Sequence, residues 1–151
     1  MFTLHELAQY LSNNMINYEI IPHDKPIISK MDATDLFDVN KAAPTFILKT
    51  EVHLFAFILS PKRERINFKL LKEALGCAKL SFADEKEVLD ATGYEIGRIP
   101  LVGHDLPYVL DSQLFDFDFI YGGTGDPYHT LKISPNDLLR LNNNSKTICF
   151  S

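Results

Sequence analysis

The sequence is poor in the residues and segments that mark secreted, metal-binding and membrane proteins. It has two cysteines, Cys77 and Cys149, which lie far apart and are too few for a disulfide framework or a metal site. No apolar run approaches the roughly 20 residues that a membrane span needs. The N-terminus lacks the basic stretch and apolar stretch of a signal peptide. We therefore expect a cytoplasmic protein that uses no metal or other cofactor and contacts no membrane.

A basic excess is also missing, because the formal net charge is −5. Proteins that grip long nucleic acids usually present a basic surface. Six of the fifteen lysines and arginines nevertheless fall in one segment, diluted by Glu64 and Glu73: Lys62, Arg63, Arg65, Lys69, Lys72 and Lys79. This segment is either a solvated helix face or a local contact for a phosphate backbone.

Four helices are predicted from capping residues and the apolar stripes that follow them. Hydrophobic residues make up 46% and charged residues 23% of the 151 residues, which is typical of one globular domain with a substantial core, so we treat 1–151 as a single domain. The predicted caps are Thr3 with Glu6, Asn67 with the C′ glycine Gly76, Asp84 with Glu87, and Ser134 with Pro135 at N1.

Apolar runs predict seven strands, over 18–21, 45–49, 53–59, 79–82, 108–110, 117–121 and 129–133. The run 53–59 is almost continuously apolar, so we expect it in the middle of a sheet that is covered on both faces. Residues 30–43 read as irregular with one helical turn, and the chain after 141 as a frayed tail. Since strands and helices do not alternate strictly, we expect an α+β fold with a mixed, curved, barrel-like sheet surrounded by helices.

The most unusual stretch is 91–103, which carries three glycines and Pro100 among apolar residues. Glycine permits positive φ and close backbone approach, whereas proline fixes φ and removes a donor. Such a loop either offers backbone N–H groups to a ligand or makes a tight connection between a helix and a strand. The composition alone leaves both interpretations open.

Two histidines and a second glycine turn are further candidates. His23 beside Asp24 is either a general base with its orienting group or a hydrogen-bonded turn residue. His129 stands alone on a predicted strand, as a packed or edge residue would. The turn 122–127 lacks a following Lys-Ser/Thr pair, so it is not a phosphate-binding loop of the P-loop type.

Several segments in order resemble the YbaK/ProX family of aminoacyl-tRNA deacylases, which is related to the editing domain inserted in bacterial prolyl-tRNA synthetases. The central segments are Ile66-Asn-Phe-Lys-Leu-Leu-Lys-Glu-Ala-Leu-Gly76, Leu80-Ser-Phe-Ala-Asp84 and Thr92-Gly-Tyr-Glu-Ile-Gly97. The flanking segments are Tyr18-Glu-Ile-Ile-Pro-His23, Val109-Leu-Asp111 and Leu131-Lys-Ile-Ser-Pro-Asn-Asp-Leu-Leu139. The resemblance covers nearly the whole chain through order and spacing rather than through one specific motif.

The resemblance implies hydrolysis of the ester that joins a wrong amino acid to the 3′-terminal ribose of tRNA. In the family a glycine-rich GxxxP loop supplies N–H groups near the scissile carbonyl, and the ribose hydroxyl of the substrate assists the attack of water. The loop maps here onto the candidate catalytic positions Gly97, Ile99, Leu101 and Gly103. The implied substrate-binding positions are His23, Thr45, Lys41, Lys49, Gly122 and Gly123, and the implied tRNA contacts are Lys62, Arg63, Arg65, Lys69 and Lys72.

Two positions depart from the family pattern. The loop proline is Pro100 instead of residue 101, which changes the set of N–H donors. Pro44 stands where family members carry a lysine that is important for the substrate end, and Lys30, Lys41 or Lys49 could take over that role by another route. Two functions therefore stay open: a free-standing deacylase that acts on aminoacyl-tRNA in trans, and a catalytically degenerate member that binds a tRNA end or an aminoacyl-tRNA synthetase. A purely structural interaction protein is a third option.

Overall fold

A computed structural model describes residues 2–27, 30–103, 105–142 and 145–150, and for Lys30 it describes the backbone alone. The helices are α1 (Leu4–Asn13), α2 (Phe68–Leu75), α3 (Glu85–Thr92) and α4 (Pro135–Leu141). The strands are β1 (Tyr18–Pro22), β2 (Thr45–Lys49), β3 (Leu54–Ile58), β4 (Ser81–Phe82), β5 (Tyr108–Asp111), β6 (Ile120–Gly123), β7 (His129–Ile133) and β8 (Lys146–Ile148). Short 3-10 turns occupy Lys30–Ala33, Val39–Lys41 and Ser112–Asp116.

The predicted helix caps are confirmed. The Thr3 hydroxyl accepts a hydrogen bond from the Glu6 N–H at 3.1 Å, and the Glu6 carboxylate accepts one from the Thr3 N–H at 3.0 Å. Asp84 forms the same capping box with its partner at the start of α3. Gly76 ends α2 with φ of 71°, a left-handed conformation that glycine adopts without steric strain. None of these helices is both long and apolar enough to cross a bilayer.

The strands form two sheets. A three-stranded antiparallel sheet has the order β1-β7-β6, and a five-stranded mixed sheet has the order β4-β2-β3-β5-β8. The sheets meet where the Ala43 N–H donates to the Tyr121 carbonyl at 2.8 Å. The α+β class expected from the sequence is therefore confirmed, but the expected barrel-like sheet is wrong in one respect: over the described residues the strands divide into two sheets, and neither closes into a barrel.

The five-stranded sheet is covered on both faces, and β3 is its central strand. On one face Ile47, Ala56 and Ile58 join the main core with residues of the three-stranded sheet. On the other face Phe55 and Phe57 pack in a second cluster with Leu71 of α2 and the chain end at Phe150. This confirms the prediction from the run 53–59, because alternate residues of β3 point into different cores.

Two local predictions are wrong. The strand expected at 117–121 begins at Ile120, because the Asp111 side chain accepts from the Gln113 N–H and starts a 3-10 turn that ends when Phe117 bonds Leu114. The expected frayed tail contains β8, which pairs in parallel with β5. Asn143 and Asn144 of that predicted tail lie outside the described residues. The local sequence does not predict strand β8, because the strand is held by its pairing with the distant β5.

Candidate active site

A cavity of about 360 Å³ lies where β2 begins, β3 ends and the glycine loop after α3 approaches the β6–β7 turn. Its walls are mostly apolar, with a few polar groups directed inward, which is the common make-up of small-molecule sites. The lining residues are Ile27, Ala33, Phe37, 42–46, Leu59, Arg63, Glu64, 97–99, 121–127, His129 and Thr130.

The glycine loop contributes one wall through Gly97 and Ile99. Gly97 has φ of 87°, and the Arg98 N–H donates to the Glu95 carbonyl at 3.0 Å to form the turn. Within the described part of the chain, the N–H groups of Gly97 and Ile99 have no hydrogen-bond partner. Two residues of the cavity lining therefore carry backbone N–H groups without a partner among the described residues.

The second half of the loop is built into the core. Leu101 is fully buried, and its N–H donates to the Gly123 carbonyl at 3.0 Å. A Cβ added to Gly103 would lie 2.7 Å from the Phe2 ring, so this glycine lets the N-terminal segment pack closely. Neither Leu101 nor Gly103 lines the cavity.

The end of β6 and the turn that follows it contribute a neighbouring wall, in contact with the glycine loop. A Cβ added to Gly123 would lie 2.5 Å from the Ile99 carbonyl oxygen, so glycine is needed here for the turn to touch the loop. A Cβ on Gly122 would meet the Leu101 side chain at 2.5 Å. The two glycines thus allow β6 to pack closely against the glycine loop.

Two polar atoms in the cavity lining are buried without a hydrogen-bond partner in the described structure: Thr45 Oγ1 and His129 Nδ1. His129 Nδ1 lies 3.5 Å from an Asp126 carboxylate oxygen, close enough for an electrostatic contact but not in hydrogen-bond geometry. A buried unpaired polar atom costs about 1–3 kcal/mol. Two residues of the cavity lining therefore each contain a buried polar atom without a hydrogen-bond partner among the described residues.

His23 lies behind this wall. Its Nδ1 is 2.7 Å from the Lys25 carbonyl, which can only accept, so Nδ1 carries the proton. In the neutral ring, Nε2 then accepts from the hydroxyl of Thr130, at 3.2 Å, and Thr130 lines the cavity. The carbonyl of Lys25, not the carboxylate of Asp24, orients the ring.

Two of the three lysines proposed to replace the family lysine, Lys41 and Lys49, do not line the cavity. Lys49 Nζ pairs with Glu87 at 2.9 Å, and the hydrogen bond to that carboxylate raises the pKa of Lys49. Lys41 Nζ sits over the Phe119 ring at 4.1 Å. The Lys30 side chain lies outside the described residues. Pro44 itself lines the cavity, and its carbonyl accepts from the Leu59 N–H at 3.1 Å.

The family model of the aminoacyl-tRNA editing domain matches residues 26–141, a range that contains the whole described lining of the cavity. The chain belongs to this family. It is 30% identical over 82 residues to a proline–tRNA ligase of Thermosipho africanus (strain TCF52B), a match that covers 53% of this chain and 15% of the ligase.

Two solved structures share the fold of this editing domain. One is a hypothetical protein with a TM-score of 0.83 and 22% identity, covering 94% of this chain and 97% of that one. The other is a proposed trans-editing enzyme for prolyl-tRNA synthetase, with a TM-score of 0.78 and 22% identity, covering 100% of this chain and 98% of that one.

The basic segment of the editing domain divides into two parts. Lys62 pairs with Asp116 at 2.8 Å, and Arg63 pairs with the fully buried Asp111 at 2.6 Å while it lines the cavity. Arg65, Lys69 and Lys72 form no ion pair with the described residues, and Arg65 and Lys69 are exposed. The second part therefore carries cations without an ion-pair partner among the described residues.

Sequence reasoning missed two features of the site. Asp111 ends a buried strand and accepts from the Ser60 N–H at 3.0 Å as well as from Arg63, so it anchors the cavity wall. The carboxylate directly after an apolar run was the available signal. Asp126 and His129 meet only because the β6–β7 turn brings them together, which the one-dimensional pattern did not show. Among the described residues no three His, Cys, Asp or Glu side chains are grouped so that they could hold a metal ion.

Proposed function

We propose that this editing domain is a free-standing deacylase that hydrolyses the ester of a mischarged aminoacyl-tRNA in trans. The observation that carries the proposal is the pair of N–H groups at Gly97 and Ile99. They line the cavity and have no partner in the described chain. Such donors can hold the negative charge that develops on the ester carbonyl during hydrolysis.

The chemistry required of the protein is modest. An aminoacyl ester is already activated, so positioning and stabilisation of the oxyanion provide most of the catalysis. Water adds to the carbonyl carbon, the bond to the ribose oxygen breaks, and a proton passes to that oxygen. The described lining contains no serine or cysteine that could act as a nucleophile, so we assign the attack to water.

The size of the cavity agrees with this substrate. About 360 Å³ is at the small end of ligand pockets, enough for an aminoacyl group and the sugar that carries it. The floor, with Ile27, Ala33 and Phe37, would hold the amino-acid side chain. The rest of the tRNA would stay outside, where Arg65, Lys69 and Lys72 can meet its phosphates.

Related proteins support an editing role that is connected with proline. The sequence relative is a proline–tRNA ligase, and one structural neighbour is described as a trans-editing enzyme for prolyl-tRNA synthetase. We propose that the substrate is a tRNA charged with an amino acid that such a synthetase attaches in error.

The direct test is to incubate the protein with a panel of mischarged tRNAs and measure the release of free amino acid. We expect release from at least one tRNA charged with a small amino acid. Release should be about 10²–10³-fold slower with Gly97→Val, because the added side chain blocks approach to the loop. A fully active Gly97→Val variant, or a wild-type protein that binds but does not turn over any substrate, would contradict the proposal.

A second function is favoured by Pro44. This residue lines the cavity where the family carries a lysine, and no lysine is found among the described lining residues. A member without catalysis would bind the tRNA end or a synthetase and not release the amino acid. If the wild type is inactive and Pro44→Lys restores turnover, the degenerate member is the correct description.

A further inference from the structure

An aromatic cluster with one exposed ring and two half-buried ones lies at the edge of the five-stranded sheet. Phe82 is 52% exposed on β4, a two-residue strand that pairs on one side with β2 and forms the sheet edge. Its ring centroid lies 5.0 Å from Phe68 in an edge-to-face arrangement and 5.6 Å from Phe46. A large apolar ring on an open sheet edge is a liability unless something covers it.

This cluster is continuous with the cavity. Phe46 is both a neighbour of Phe82 and a lining residue, and Thr45 with its unpaired hydroxyl precedes it on β2. Phe46 therefore connects the cavity lining with Phe82. The cluster is defined by Phe46, Phe68 and Phe82, and we refer to it as the aromatic platform.

Unpaired cations accompany the platform. Phe68 and Lys72 are four residues apart on α2, so they share one side of the helix, and Lys69 beside Phe68 is exposed. Neither lysine forms an ion pair with the described residues. An aromatic surface beside cations is the combination that binds single-stranded nucleic acid, because rings stack on bases and cations meet phosphates.

We propose that the aromatic platform stacks the unpaired nucleotides that precede the esterified terminal ribose, and that Lys69 and Lys72 hold their phosphates. This inference rests on the proposed function, because it takes the terminal ribose to lie in the cavity. Stacking on a ring does not depend on which base is present, so the platform holds the common 3′ end of every tRNA. The choice of amino acid is left to the cavity.

The test compares two substrates that share the ester. One is a mischarged tRNA, and the other is the same amino acid esterified to adenosine alone, which has no preceding nucleotides. Phe82→Ala should lower kcat/KM for the tRNA about 10-fold, as expected for one lost base stack, and leave kcat/KM for the adenosine ester unchanged. Phe82→Trp should retain activity on both substrates.

Leu89→Ala is the matched control, because Leu89 is a comparably exposed apolar residue, 49%, on α3 and does not line the cavity. It should change neither rate. The platform is overturned if Phe82→Ala leaves kcat/KM for the tRNA at the wild-type value, or if it lowers kcat/KM for both substrates equally.

A binding measurement separates failure of the platform from failure of the proposed function. If the wild type hydrolyses neither substrate, the deacylase proposal fails, and its affinity for a single-stranded RNA with a tRNA 3′ end then tests the platform alone. Weaker binding by Phe82→Ala supports the platform. Unchanged binding overturns it and assigns the exposed ring to a protein partner.

Discussion

The two halves of the glycine loop have the same kind of composition and different surroundings. At Gly97 and Ile99 the backbone lines a cavity and its N–H groups have no partner in the described chain, whereas at Leu101 the side chain is fully buried and the N–H is bound to Gly123. Gly103 is a glycine because Phe2 packs against it. A run of glycines can therefore serve ligand approach at one end and close packing at the other.

The largest effect that would test this comparison is expected from Gly97→Val. Loss of access to an oxyanion donor should reduce deacylation about 10²–10³-fold. Gly76→Val is the matched control. Gly76 also has a positive φ, 71° compared with 87° at Gly97, and a Cβ added at Gly76 would meet no atom outside its chain neighbours within 4 Å. The two variants should lose comparable stability in thermal unfolding, but only Gly97→Val should lose activity. Equal activity in both would remove the loop from the mechanism.

The second half of the loop should respond in the opposite way. Leu101→Ala removes a fully buried side chain and should lower the free energy of unfolding by about 2–5 kcal/mol. The turnover number of the folded fraction should stay at the wild-type value, because the Leu101 amide is already bound. Denaturant unfolding measures the free energy of unfolding, and kinetics with active-site titration measure the turnover number of the folded fraction. A stable variant with reduced turnover would show that Leu101 also serves the reaction.

A smaller effect is expected at the unpaired hydroxyl of Thr45. Thr45→Val removes a buried polar atom that has no partner, so the protein should become more stable by about 1 kcal/mol while KM rises a few-fold. Thr92→Val is the control, because the Thr92 hydroxyl donates to the Val88 carbonyl at 2.7 Å and accepts from the Tyr94 N–H at 3.0 Å. That variant should be less stable and keep its KM. Lower stability in both would mean that Thr45 has a structural partner.

The smallest effect is expected from the lysines. Lys41→Met and Lys49→Met should leave deacylation unchanged, because Lys41 lies over Phe119 and Lys49 is paired with Glu87. Initial rates on the preferred mischarged tRNA measure this. A large loss in either variant would mean that the lysine leaves its partner and enters the cavity when substrate binds.

Local signals in the sequence predicted most of the fold. The caps at Thr3, Asn67, Asp84 and Ser134 formed as expected because a helix N-terminus is specified within a few residues. Strand β8 and the shift of β6 were missed, since both depend on contacts far along the chain. The division into two sheets depends in the same way on long-range pairing and not on any one segment.

The candidate site was also predictable only in part, because some of its contacts join residues that are far apart in the sequence. Gly97, Thr45 and Gly123 were named from the sequence and lie together around the cavity, although their roles remain predictions. The pairing of Arg63 with Asp111, across 48 positions, could not be read from either segment alone. The sequence also could not tell which loop amides would be bound, because the acceptor of the Leu101 N–H is the Gly123 carbonyl on β6, far along the chain.

Backbone NMR can test whether the Gly97 and Ile99 amides hold the oxyanion. The protein labelled with ¹⁵N would be titrated with a non-hydrolysable aminoacyl-adenosine analogue. We expect downfield proton shifts at the amides of Gly97 and Ile99, with the Leu101 and Gly103 amides nearly unchanged. Saturable binding that leaves the Gly97 and Ile99 amides unshifted would contradict it.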